Sequence, residues 1–457
     1  MKRTRLLLAA LLCVAGTAAV SAAAKPQLAP TPPMGWNSWD AYGLTIDEAD
    51  YRANTRVLAS IKNYGWKYAV VDEGWYMANP NGKDRVAKDF QIDSNGLLVP
   101  ALDRFPSAAD GAGFKPLADR VHSLGLKFGF HIVRGIPRGA VERNTPIADS
   151  SFHATDAADT SDACGWDDGN WGVRDNAAGQ AYYDSMMRLY AKWGVDFLKV
   201  DCIADHPYKA SEIRQIASAI KKTGRPIVLS LSPGPTQLEH ANEIAQYAQM
   251  WRISNDIWDG WQFGNHTPDG YPSGVETAFD NLARWNPYVR PGSWPDADML
   301  PFGSLRPHPG MGDPRDSRLT HDEERTQFTL WSIARSPLIL GANLTELDPF
   351  TRSLITNARV IAVNQKAWES HPVANLPSGY ETIRVWEASA GTRSHPIHYV
   401  AFFNTSDQPA RVTANWSDAG ITGRHSAVEL WSGAISPRGS TVEIALPAHG
   451  SAIYQVR

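Results

Sequence analysis

The sequence predicts an α/β chain, a (β/α)8 TIM barrel followed by a C-terminal antiparallel β-sandwich domain. Three observations carry this. Short apolar runs alternate with amphipathic helical stretches from residue 25 to about 365, at spacings of roughly 25 to 70 residues that suit βα units with loop insertions. Several of those runs close on a polar residue, as Asp196-Phe197-Leu198-Lys199-Val200-Asp201 does. In a β/α barrel the C-terminal strand ends form the functional face, so a carboxylate there asks for a chemical reason. After Asn364 the pattern changes to short strands separated by Gly, Pro, Ser and Asn.

Taken in order, Met34-Gly35-Trp36 opens the barrel. Strands follow at 68–72, 127–132, 196–201, 226–232 and 250–254, then one before Asp298 and one at 337–341, which makes eight. Helical periodicity falls at 47–64, 114–124, 177–193, 211–223, 238–247 and 322–334. Sandwich strands are expected at 381–386, 398–403, 411–413, 427–430 and 442–446.

The first 24 residues read as a signal peptide. Lys2, Arg3 and Arg5 precede the apolar stretch Leu6 to Val20, and Ala22-Ala23-Ala24 offers a small-residue cleavage site. A membrane anchor is the alternative, disfavoured because the stretch is short and Ala-rich. The domain plan is therefore a signal peptide at 1–24, a catalytic barrel at 25–365 and a sandwich at 366–457. The expected location is secreted or periplasmic. Of three cysteines, Cys13 leaves with the signal. Cys164 and Cys202 are expected to pair in an oxidising compartment, against two free buried thiols. A net charge of −4 with interspersed signs gives no reason to expect nucleic acid, nor a membrane after signal cleavage. The 17 Trp and 15 Tyr include core residues, but aromatic rings beside polar loops also grip sugar faces. Sequons stand at Asn265, Asn343, Asn404 and Asn415, and matter only in a glycosylating host. The sequence is silent on oligomeric state.

The polar residues at strand ends are Trp36 with Asp40, Asp72 with Glu73, His131, Lys199 with Asp201, Ser232, Arg252 with Asp256, and Asp298. A single one reads as a satisfied surface group; so many on one face do not. His131, His153, His206 and His308 are scattered and show no metal-ligand spacing, and there is neither a nucleophile elbow nor a phosphate-binding glycine loop, so no metal and no cofactor is expected. Acids, a Lys, an Arg and Trp fit glycoside hydrolysis, which needs one ionised and one protonated carboxyl group. Lys199 shares a strand face with Asp201 and favours its ionised form, as a nucleophile requires. Asp256, four residues past Arg252, is the better general acid. Asp72 and Glu73 are suited to gripping hydroxyls.

The motif series Thr31-Pro32-Pro33-Met34-Gly35-Trp36-Asn37-Ser38-Trp39, Tyr68 to Trp75, His122 to Gly129, Trp193 to Cys202, Trp251-Arg252-Ile253-Ser254-Asn255-Asp256 and Pro295 to Leu300 resembles glycoside hydrolase family 27, the α-galactosidase or melibiase family. The resemblance covers essentially the whole mature chain. It implies a retaining exo-glycosidase acting on terminal α-D-galactosyl residues of an oligosaccharide or polysaccharide, with Asp201 as nucleophile and Asp256 as acid/base. It further implies that Lys199 and Arg252 hold hydroxyls and orient the acids, that Trp36 lies on the sugar's apolar edge, and that Asp72 and Glu73 meet its outer hydroxyls. The family's cysteine bridge beside the nucleophile has its counterpart in Cys164 and Cys202.

Three positions depart from the family pattern. Glu73 stands where a second aspartate is usual, and its extra methylene points to a pentopyranose, β-L-arabinopyranose, in place of galactose. His131 replaces a Tyr, and Arg134 and Arg138 after it are either rim cations for an acidic or branched glycan or partners of acids such as Asp149 or Glu142. Ser232 replaces a Glu and makes room at the C2 substituent, which keeps α-N-acetylgalactosaminidase activity as a further alternative. A reading of another class is a carbohydrate-binding protein that has lost catalysis, with Trp386, Trp416 or Trp431 as possible sandwich contacts. The presence of both carboxylates argues against it.

Overall fold

The alternating pleat of eight parallel strands decides which side chains enter the barrel and which face the surrounding helices. The strands are β1 (Met34–Asn37), β2 (Tyr68–Val71), β3 (Lys127–Val133), β4 (Phe197–Asp201), β5 (Val228–Leu231), β6 (Met250–Arg252), β7 (Trp294–Asp296) and β8 (Leu338–Leu340). Their sheet order is β7-β6-β5-β4-β3-β2-β1-β8, all parallel. A parallel bridge between Leu300 and Leu340 brings the chain beyond β7 onto β8, with Leu300 N donating to the Ile339 carbonyl at 2.8 Å. This computed structural model describes residues 27–79, 81–82, 84–86, 89–264 and 270–457. The expected signal peptide and the sequon at Asn265 lie outside the described residues.

The barrel interior is graded. Tyr68, Val70, Phe197, Val228, Met250 and Trp294 form an apolar cluster towards the strand starts. Asn37, Lys199, Ser232, Arg252, Asp296 and Asp298 line a cavity at the strand ends. The opposite pleat, with Trp36, Phe128, Phe130, Leu198, Val200 and Trp251, joins the larger core shared with the helices. β4 carries an acid at each end, with different fates. Asp196, before the strand, is held by His122 at 2.7 Å and Arg225 at 2.7 Å as a structural ion pair. Asp201 closes the strand at the polar end.

The helices follow their sequence signals. α1 (Glu48–Ser60) starts on Asp47, whose carboxylate accepts from Asp50 N. α2 (Lys115–Ser123) precedes β3, and α3 (Ala177–Trp193) ends on left-handed Gly194. α4 (Ala210–Thr223) and α5 (Ala241–Tyr247) flank β5, α6 (Val275–Trp285) precedes β7, and α7 (His321–Ala334) opens with a Thr320–Glu323 capping box. α8 (Ala358–Lys366) follows β8. α6 was not apparent in the sequence. Nor was a three-stranded antiparallel sheet of Ile136–Pro137, Ala158–Ala163 and Asn170–Val173 inserted between β3 and α3.

The C-terminal region forms a six-stranded antiparallel sheet and a two-stranded one. The strands are β9 (Glu369–Pro372), β10 (Ile383–Thr392), β11 (His395–Asn404), β12 (Ala410–Asn415), β13 (His425–Glu429), β14 (Ile435–Gly439), β15 (Thr441–Leu446) and β16 (Ser451–Val456). The larger sheet runs β9-β10-β11-β16-β13-β14, and β12 pairs β15. Its aromatic residues serve packing. Trp416 lies in the sandwich core, and Trp386 is buried in the core continuous with the barrel. Trp431 donates its indole N–H to Thr329 of α7 at 3.1 Å. His449 stacks on Trp261 of the barrel at 4.1 Å and pairs with Glu323 at 2.7 Å. These contacts seal the sandwich onto the barrel. Among the described sequons, Asn343 and Asn404 are buried and their side chains are hydrogen-bonded, whereas Asn415 is exposed.

Candidate active site

The polar end of the barrel places Asp201 within a network of positive and neutral donors. His131 Nε2 lies 3.3 Å from Asp201 Oδ2, and Cys202 N donates to Oδ1 at 2.8 Å. His131 and Lys199 are register partners on adjacent strands, so both enter the interior beside this carboxylate. Burial alone would raise the Asp201 pKa. The His131 hydrogen bond and charge, the Lys199 charge and the Cys202 amide outweigh it and hold the group well below the ordinary carboxylate range. Lys199 itself contacts Asp72, at 2.8 Å, and burial of the ammonium is outweighed by Asp72 and Asp201, which keep it charged. Burial of Asp72 is in turn outweighed by Lys199 and His131, and its pKa is lowered.

A second cluster gathers on Arg252. Its Nη2 lies 3.1 Å from Asp256 Oδ1 and its Nη1 2.9 Å from Asp298 Oδ1. Asp298 Oδ2 accepts from Ile257 N at 2.7 Å, which ties the loop after β6 to the end of β7. The Asp256 side chain is a third exposed, unlike the buried Asp201 partner His131 or Asp298. Asp296 is pushed up to about 7 by burial first, with Arg252 opposing and Asp298 reinforcing. Asp40 is buried too, and burial, then the Asp298 and Asp256 charges, raise it well above the carboxylate range. An ionised, partly buried acid, a more exposed second acid and cations beside each can support double displacement at an acetal. Among the described residues no His, Cys, Asp or Glu cluster is arranged to hold a metal ion.

Both regions of the chain are similar to known proteins. A family model described as alpha galactosidase A matches residues 167–366, and one described as the alpha galactosidase C-terminal beta sandwich domain matches 381–456. The alpha-galactosidase of Coffea arabica is 30% identical over 431 residues, covering 93% of each chain. The chain belongs to glycoside hydrolase family 27. The crystal structure of a family 27 β-L-arabinopyranosidase from Geobacillus stearothermophilus superposes with a TM-score of 0.87 at 40% identity, covering 94% of this chain and 96% of that one. Alpha-galactosidase A of Cellvibrio japonicus is 28% identical over 448 residues, covering 94% of this chain and 93% of its own.

Asp72, His131, Lys199, Asp201, Ser232, Arg252, Asp256 and Asp298 stand together at the polar end of the barrel. Trp36 does not join them. In β1 the pleat turns Gly35 and Asn37 inward, so Trp36 faces the helix layer. It is fully buried against Tyr42 and Tyr51, and its N–H is taken by the Ala342 carbonyl. The partly exposed ring in this motif is Trp39, three residues on. Asn37, quoted in the motif but given no role, donates to Asp72 Oδ2 at 2.6 Å, and Ser38 Oγ accepts from Asp72 N. The inward position on the pleat was the signal that could have found Asn37.

The arginines after β3 are not free rim cations. Arg134 is buried, pairs with Asp162 and Glu212 at 2.9 and 2.7 Å, and donates to the Cys202 carbonyl. Arg138 lies over the Trp171 ring at 3.9 Å and pairs with Asp168 at 3.4 Å. The acids differ from Asp149 and Glu142 because the inserted sheet brings 162–171 across the strand end. Cys164 of that insertion is disulfide-bonded to Cys202, with a Cα separation of 5.9 Å. The bridge spans 38 residues, which chain entropy values at about 4 kcal/mol.

The His131–Asp201 pair sets a pH window. A lowered acid contributes stability above the ordinary carboxylate range, lost as pH falls through its folded value. Burial of His131 is outweighed by Asp72 and by the Asp201 hydrogen bond, and its pKa is raised. Its contribution is present below the ordinary imidazole value and lost as pH rises through the folded one. His131→Phe is expected to let Asp201 protonate at higher pH. The kcat/KM at about pH 4, relative to about pH 6, should fall roughly threefold below the parent's ratio. An unchanged acid limb would remove His131 from this role.

Proposed function

We propose that this family 27 enzyme is an exported retaining exo-glycosidase that removes terminal β-L-arabinopyranosyl residues. Asp201 attacks the anomeric carbon while Asp256 gives its proton to the departing oxygen. Asp256 then takes a proton from water, which attacks the glycosyl-enzyme and releases Asp201. Lys199, Arg252, Asp72 and Asp298 orient the sugar and the two acids, and Trp39 replaces Trp36 as the ring at the sugar's edge. The disulfide fits an oxidising compartment, and no described helix is long and apolar enough to cross a membrane.

The observation that carries the sugar assignment is Glu73, buried beside Asp72 with its carboxylate fixed by Arg85. A longer, immobile acid occupies room that a C5 hydroxymethyl would need. β-L-Arabinopyranose has the ring stereochemistry of α-D-galactose without that group. The similarity to the Geobacillus stearothermophilus enzyme supports the same choice, which moves α-D-galactoside to second place. The curated relatives favour that second reading, and the small Ser232 favours a minor activity on N-acetylgalactosaminides. The expected result is a kcat/KM for nitrophenyl β-L-arabinopyranoside about tenfold or more above that for nitrophenyl α-D-galactoside. A tenfold preference for the galactoside would make the enzyme an α-galactosidase.

A further inference from the structure

Both oxygens of Glu73 accept from Arg85. Arg85 Nε lies 2.6 Å from its Oε1 and Nη2 lies 2.7 Å from its Oε2, the planar fork matched to both oxygens. The Glu73 side chain is 2% exposed and that of Arg85 28%, so the acid is buried while the guanidinium reaches solvent. The same guanidinium lies 5.7 Å from the centre of the Trp39 ring. Arg85 and Trp39 line one cavity together with His308 and Gly310.

A third group backs the pair. Asp167 is buried on the segment that follows Cys164, and its Oδ1 accepts from Gly169 N at 2.8 Å. Its Oδ2 is buried and accepts no N–H among the described residues, and the carboxyl lies within hydrogen-bond reach of Glu73. Burial, then the Glu73 charge, push the Asp167 carboxyl up to about 6. Its neutral form is thereby favoured as pH falls below neutrality. Two segments thus converge on the Glu73 carboxylate: the Arg85 stretch of its own loop after β2, and the loop after Cys164, which the disulfide ties to the end of β4.

A glutamate in a cleft has several rotamers, and an unclamped one could swing away from a bulkier sugar. Steric selection by one methylene is worth roughly ten- to two-hundredfold only if the wall stays in place. We infer that Arg85, backed by Asp167, is a specificity-determining positioning residue: it clamps Glu73 against the C5 edge of the sugar and so enforces the exclusion of a hydroxymethyl substituent. The inference rests on the arabinopyranoside reading above. Arg85 acts through Glu73 and not by contact with the reacting atoms.

The test compares Arg85→Ala and Arg85→Lys with the parent, as full chains, on nitrophenyl β-L-arabinopyranoside and nitrophenyl α-D-galactoside. Arg85→Ala is expected to lower the arabinopyranoside-to-galactoside ratio of kcat/KM by about tenfold. Arg85→Lys keeps the charge but loses the fork, and should fall between. A merely structural arginine would lower both substrates together and leave the ratio unchanged, which would overturn the clamp. Should Arg85→Ala fail to fold, Arg85→Lys and Arg85→Gln carry the test, since each keeps a long side chain but loses the fork and leaves Glu73 intact. Unchanged ratios in both would likewise overturn it. The parent's own ratio tests the sugar assignment, and the change on substitution tests the clamp whichever sugar the parent prefers.

Discussion

Asp201→Asn is expected to lower kcat on nitrophenyl β-L-arabinopyranoside by about ten thousandfold or more, roughly 5 kcal/mol of barrier. The amide is isosteric and can still accept from Cys202 N, where the carboxylate now accepts at 2.8 Å. The fold should therefore persist, with a thermal midpoint near the parent's, and arabinose should still compete for the site. What disappears is the ionised oxygen that bonds to the anomeric carbon. Substantial turnover by pure Asp201→Asn protein would remove Asp201 from the nucleophile's role. The size of the effect follows from how firmly the charge is held. Burial opposes ionisation, and His131, Lys199 and the Cys202 amide together reverse it.

Asp256→Ala should produce a loss that depends on the leaving group. Nitrophenolate leaves with little help from an acid, so kcat/KM on the aryl glycoside falls modestly while kcat falls about a hundredfold or more, because water is no longer deprotonated in the second step. An alkyl glycoside, which needs the proton in the first step, should lose about ten thousandfold. Azide needs no base and should restore turnover of the aryl substrate, giving a glycosyl azide of retained configuration. Equal losses on aryl and alkyl substrates without azide rescue would show that Asp256 is structural. Its place favours the catalytic role. It hangs on Arg252 at 3.1 Å on a loop fastened by Asp298, and it reaches solvent, where water and the aglycone must enter.

Much of this site is a local property of the chain. A run such as Phe197 to Asp201 states its strand, its two faces and its polar end in five residues, because the pleat has a period of two and the barrel uses the strand ends. The same logic, applied strictly to β1, would have moved attention from Trp36 to Asn37 and Trp39. The order of motifs named the family for the same reason: each motif is short and sits at one strand end. The inserted sheet between β3 and α3 was opaque because its strands are short and polar, with residues such as Asp159, Thr160, Ser161 and Asp162 that carry no hydrophobic alternation. In the sandwich, β14 is mostly exposed and lacked a signal for the same reason.

The sequence by itself determined the alternating barrel, the later sandwich, the two carboxylates and the cysteines that could pair. The tertiary structure decided which charges meet. Glu73 is joined to Arg85, twelve residues away through an irregular loop, and Arg134 to Glu212, seventy-eight residues away. It likewise set Trp431 and His449 against the barrel. Pairings of this kind depend on loops whose course is fixed by packing and by a disulfide, not by a repeating backbone period. A carboxylate's position on a strand is therefore readable from its neighbours in sequence, while the partner that fixes its side chain is not.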